Sequence, residues 1–166
     1  MFLRSIALGF ALVMAQPLTA QIVFGEMGFQ VTGMAGTAGD ACWGFSCVPR
    51  GLAVQGGETT SMVVRAPLGA PFVIVAGFSA TSCLAVPGVW NELVVDPPLL
   101  VLFAGSVTQR NFTRFCYDGY ELRSLAVPMG LSSGVQLALQ AGAFIGTPPQ
   151  PNTGFGLASA VLVTVR

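Results

Sequence analysis

The residues of this 166-residue chain that could do chemistry are few: four cysteines, seven carboxylates, two tryptophans and two tyrosines, with no histidine. Lysine is absent too, so all seven basic residues are arginines. Without histidine or lysine the chain cannot assemble a Ser-His-Asp or Cys-His nucleophile, a Schiff base or a histidine-ligated zinc. Carboxylate chemistry is what remains. Glycoside hydrolysis needs two acids about 5–10 Å apart, and Glu92 with Asp96, or Asp118 with Glu121, are the pairs that could supply them. So few acids are more simply read as keeping loops and strand edges soluble. No D-x-D-x-D-G calcium loop occurs, and Asp118-Gly119 reads as a turn. Gly33-Met34-Ala35-Gly36 and Gly154-Phe155-Gly156 do not sit at a strand-to-helix turn, as a phosphate-cradling loop must. The sequence therefore predicts no catalytic residue, no metal and no cofactor: not an enzyme.

Two other groups carry information. Cys42, Cys47, Cys83 and Cys116 form an even set in a chain that reads as exported, which points to disulfides. Zinc is the rival, but its sites present close pairs such as two C-x-x-C units, and neither spacing here is of that kind. Of the three possible pairings the expected one is Cys42–Cys47 with Cys83–Cys116. The second bridge would close a loop of about 34 residues, worth roughly 4 kcal/mol in the chain-entropy model. The aromatic residues Trp43, Trp90, Tyr117 and Tyr120 fall in loop-like or loop-adjacent positions, where exposed rings could stack on the faces of a glycan. Against that stands the plainer reading of large aromatics packed over a disulfide, as in immunoglobulin-type domains.

The elements that would position these groups begin with an export signal. Arg4 is followed by an apolar run from Ile6 to Ala15 and then by Pro17-Leu18-Thr19-Ala20, which ends in a small residue. That is the layout of a cleaved signal peptide over residues 1–20, and the run is too short for a permanent membrane anchor. The residue after the cleavage point is Gln21 rather than cysteine, which argues against a lipid anchor. Secretion, to the periplasm, the cell surface or beyond, is the expected destination.

Beyond residue 20, glycine and proline, 21 and 11 of them in the whole chain, cut the sequence into short pieces. Residues 135–145 alternate between apolar odd positions and a face interrupted by Gln136 and Gln140, the period of a half-buried strand. Residues 157–165 and 60–65 behave in the same way. Phe72 to Phe78 is a continuous apolar run, as in a strand covered on both faces. Residues 50–55, 99–104 and 121–127 are further candidates. About seven strands separated by turns predict an all-β, antiparallel two-sheet β-sandwich over residues 47–166, immunoglobulin- or jelly-roll-like; a small barrel fits the same pattern. Residues 21–46, rich in glycine and methionine, read as an irregular or edge segment.

Composition narrows the partners. Only 8% of residues are charged, 53% are hydrophobic and the mean hydropathy is +0.73. No basic patch exists for nucleic acid. Such a composition predicts either that both sheets are unusually well covered or that part of the surface packs against another protein, a second copy or an envelope component.

The stretch Ala66-Pro67-Leu68-Gly69-Ala70-Pro71-Phe72-Val73-Ile74-Val75-Ala76-Gly77-Phe78-Ser79 is similar to a hairpin of uncharacterised exported β-sandwich domains of environmental bacteria. There a G-A-P-F motif precedes an apolar strand ending in G-F-S. Residues 134–141 and 156–165 resemble later strands of those domains, so the likeness covers roughly residues 47–166. The resemblance implies an exported sandwich. It brings no activity and no site. The expected function is thus a secreted or cell-envelope structural or interaction module, with glycan binding through the four aromatics as the alternative.

Overall fold

The computed structural model describes residues 27–42, 45–110, 117–146 and 154–166; the proposed signal peptide lies outside them. Within that range the chain is all-β, with no helix. The strands are β1 (Gly28–Gly33), β2 (Gly36–Asp40), β3 (Arg50–Val54), β4 (Thr59–Ala66), β5 (Pro71–Gly77), β6 (Leu84–Ala85) and β7 (Val89–Trp90). They continue with β8 (Glu92–Leu93), β9 (Leu100–Ser106), β10 (Gln109–Arg110), β11 (Gly119–Ala126), β12 (Gln136–Phe144), β13 (Phe155–Leu157) and β14 (Val161–Val165).

One sheet has the order β10-β11-β4-β1-β2 and is antiparallel throughout. The second is built on β12, which pairs with β14 and then β13 along one side and with β5 along the other. Beyond β5 lies β9, and beyond β14 lies β3. The short β6 and β8 form a third, two-stranded sheet. Two pairings depart from the antiparallel expectation: β3 runs parallel to β14, and β7 parallel to β13.

Alternation explains which residues go inside. On β4, Thr60, Met62, Val64 and Ala66 are buried while Ser61, Val63 and Arg65 are partly exposed, as the period of two requires. Phe29 and Val31 of β1 join Met62 and Val64 in one core with Phe72, Ile74, Leu139, Ala141, Val161 and Val163 of the second sheet. A fully buried side chain of this size is worth about 1.5–3 kcal/mol.

Three expectations need correction. Residues 28–40 are not irregular: β1 is an interior strand, and only β2 is an edge. The glycines there hide a Phe29/Val31 alternation, and they are needed because a Cβ on Gly28 would run into the carbonyl oxygen of Ala41. The single C-terminal strand is two, β13 and β14, interrupted at residues 158–160. The strand covered on both faces is not β5, whose Val73 and Val75 stay half-exposed, but β12, buried from Ala138 to Ala143.

Gln140 accounts for the last point. Expected on a solvated face, it is fully buried. Its Oε1 accepts hydrogen bonds from Val94 N (2.9 Å) and Val95 N (3.4 Å), and its Nε2 donates to Glu92 O (3.0 Å) and Ala158 O (2.8 Å). Residues 92–95 are thereby strapped across the outer face of the second sheet, where Val94 and Val95 bury against Ala138 and Ala160. The strap passes so close that a Cβ on Gly77 would lie 2.6 Å from Asp96 O. Replacing Gln140 by leucine strands several buried polar groups at once, each costing about 1–3 kcal/mol, so an expected loss of roughly 2–4 kcal/mol follows. Urea unfolding measures it directly.

Candidate functional site

The cysteines pair differently from expectation. Cys47 is bonded to Cys83, 36 residues on, with Cα atoms 5.5 Å apart. Cys42 is disulfide-bonded as well, and Cys116 lies outside the described residues. The local bridge Cys42–Cys47 is therefore excluded, and so is Cys83–Cys116. The reason is the strap. Ser46 N donates to Ser159 Oγ (3.0 Å), and Phe45 packs on the Val94–Val95 cluster, so Cys47 is carried along the outer face of the second sheet. That brings it to Cys83 in the excursion between β5 and β9. The carboxylate of Glu92 stands within 4.8 Å of both sulfurs, but the bridge consumes the thiolates that a metal would require.

Three of the four candidate carboxylates, Asp96, Asp118 and Glu121, are engaged in holding loops and strand ends. Asp96 accepts hydrogen bonds from Ser79 Oγ (2.7 Å), Thr81 N (3.0 Å), Thr81 Oγ1 (2.8 Å) and the hydroxyl of Ser82. The Ser82 and Ser79 hydroxyls, then Thr81, hold its carboxyl far below the usual range. Asp118 accepts from Leu68 N (3.1 Å). Glu121 turns inward and is buried. Burial would raise its pKa, but hydrogen bonds from Thr108 and the Arg123 guanidinium, 2.9 Å away, outweigh it and the net shift is downward.

Of the four aromatics, Trp43 lies outside the described residues. Trp90 is half-buried in β7, where it pairs with Gly156. Tyr117 packs against the main core, and burial pushes its hydroxyl up to about 12. Tyr120 is half-buried on β11, opposite Arg65 and Gln109. Trp90 and Tyr120 thus belong to different sheets.

The least expected surface is an edge. Strands at sheet edges expose unpaired N–H and C=O groups, which proteins usually guard with charges, prolines or very short length. Here β2 ends in Asp40, β3 begins with Arg50 (ion-paired to Asp40 at 2.8 Å) and β10 ends in Arg110. Past its short pairing with β10, β11 carries Glu121 and Arg123, the latter over the Phe72 ring at 5.7 Å. The last strand beyond β13, β7, has only two residues. Strand β9 is different. It is seven residues long, its one strand partner among the described residues is β5, and no charge occurs between Asp96 and Arg110. A single register shift opposite Ile74/Val75 is its only irregularity. Leu100 is 64% exposed, Val101 59% and Phe78, just past β5, 74%. The sequence offered residues 99–104 as a strand candidate but could not show its place, because an edge strand and a central strand of this composition read alike.

Two outcomes check this account. Digestion without reduction should yield a peptide linking Cys47 to Cys83 and none linking Cys42 to Cys47, leaving Cys116 as the partner to be found on Cys42. Asp96 has a folded pKa below its unfolded value, so its contribution is complete above about pH 5 and drains away as pH falls through and below ~4. A thermal-melting series on Asp96→Asn should therefore show less of the acid-induced fall in Tm than the native chain. Comparison with protein-family models, with curated proteins and with solved structures finds no match for this chain.

Proposed function

We propose that the protein is an exported, non-catalytic β-sandwich module that works by association, with β9 as the joining strand. The sandwich reading rests on alternate residues of both large sheets meeting in one core. The export reading rests on the leader-like residues 1–20 and gains support from the Cys47–Cys83 bridge. Among the described residues no helix is long and apolar enough to cross a membrane. The non-catalytic reading rests on the residue types available and on the structural engagement of Asp96, Asp118 and Glu121.

The single observation that carries the association reading is the unguarded edge. A second copy could align its β9 antiparallel to the first, with Phe103 meeting Phe103 and Leu100 meeting Ser106. Both strands are themselves uncharged, and the one charge that approaches them, the Arg123 guanidinium beside Gly105, is already paired with Glu121. Such pairing would satisfy the outward N–H and C=O groups and withdraw Leu100 and Val101 from water. At about 25 cal/mol per Å² of apolar area, this supplies a driving force that a charged edge would forfeit. The result would be a continuous sheet across a two-fold axis.

Light scattering over a concentration series should show a dimer that dissociates on dilution. Val101→Lys installs the guard that β9 lacks and should shift the protein to monomer with the fold intact, its Tm matching that of the native chain diluted to monomer. A strict monomer at every concentration, or a Val101→Lys variant that dimerises like the native chain, would contradict the proposal.

A further inference from the structure

A cavity of about 340 Å³ opens at one end of the space between the two large sheets. Thr60, Leu125 and Ala126 wall it from one sheet, and Leu102, Leu139 and Val163 from the other. Native interiors hold few voids larger than a water molecule, so an apolar space of this size, partly open to solvent, stands apart from ordinary packing. It is of the order of small-molecule sites.

The lining fixes what could enter. Thr60 contributes the one polar side chain, and its hydroxyl already donates to Leu125 O at 3.1 Å. Every other side chain on the wall is hydrocarbon. Ordered water needs two to four polar partners and would find few here. A polar or charged ligand group would lose its hydration with nothing in return. The buried part of an occupant must therefore be hydrocarbon, and any polar head must remain outside. Phe78, largely exposed and also part of the wall, gives the opening an apolar rim. A methylene takes up nearly the space of a water, about 30 Å³, so the cavity holds on the order of ten carbons.

We infer that this cavity is a binding site for one linear hydrocarbon chain, the tail of a single-chain amphiphile such as a fatty acid or one acyl chain of a lipid. The site is separate from the outward edge of β9, although Leu102 of that strand forms part of its wall. Two sheets hold the tail while its head stays in water. Two tails at once exceed the volume.

Titration calorimetry of the purified protein with decanoate and hexanoate, both kept monomeric, tests the inference. Decanoate should bind once per chain, and hexanoate at least about tenfold more weakly, because each methylene withdrawn from water adds to affinity. Leu125→Trp fills the cavity from a partly exposed position and should weaken decanoate at least about tenfold. If that variant does not fold, methyl NMR on the native protein replaces it, with decanoate expected to shift Leu102, Leu125 and Leu139. Incubation with phosphatidylglycerol vesicles followed by mass spectrometry of the re-isolated protein separates the sources. Bound phospholipid indicates a lipid tail and its absence a free acid, and either supports the site if Leu125→Trp abolishes binding. No decanoate binding, equal binding by Leu125→Trp, or methyl shifts confined to the outer surface would overturn it.

Discussion

A primary amide shut away from water must place two N–H donors and a carbonyl oxygen, and Gln140 does so with four main-chain partners on two separate segments. Because leaving any of them unmade costs a large desolvation penalty, the geometry of residues 92–95 and of Ala158 is fixed relative to β12. Much else follows from this placement. The strap buries Val94 and Val95 on the outer face of the second sheet, brings Asp96 under the hydroxyls of Ser79, Thr81 and Ser82, and delivers the chain to the start of β9. Phe45 docks on the same cluster, which is why Cys47 reaches across to Cys83. In the chain-entropy model that closure is worth about 4 kcal/mol.

The outcome is an uneven molecule. With 8% of its residues charged, the chain has few groups to spend. Asp40 with Arg50 and Glu121 with Arg123 stand on strand edges, while Glu58 caps the turns by accepting from Gln55 N (2.8 Å) and Met34 N. β9 carries no charge of its own, and only the Arg123 guanidinium of the facing sheet approaches it, at Gly105. The excursion side of the second sheet is covered, bridged and hydrogen-bonded, while the β9 side and the cavity beside it remain apolar and open. Association and hydrocarbon binding are the two uses that such surfaces suit. They draw on different atoms of β9: main-chain groups on the outside for the first, the Leu102 side chain on the inside for the second.

The sequence revealed those elements whose own residues carry the signal. β4 and β14 alternate strongly enough for both faces to be read directly, and on β12 the core side, with Leu139 and Ala141, was as expected although its other face is covered too. β1 and β2 were hidden because glycine, required there by close backbone approach, dilutes the alternation of Phe29 and Val31. The burial of Gln140 was hidden for a different reason. A glutamine on a strand face looks solvated until a remote segment is known to cover it. The disulfide pairing depends on that same remote segment, so local spacing misled. Openness at β9 is a property of strand order rather than of strand sequence, and the four aromatics could be named but not placed.

Hydrogen exchange of the native protein at low and high concentration reports on the outward amides of β9 themselves. Association through this edge requires exchange across Leu100–Ser106 to slow as concentration rises, while β4, already paired on both sides, stays unchanged. Exchange at β9 that remains constant over concentrations where the protein associates would place the contact elsewhere and contradict the account.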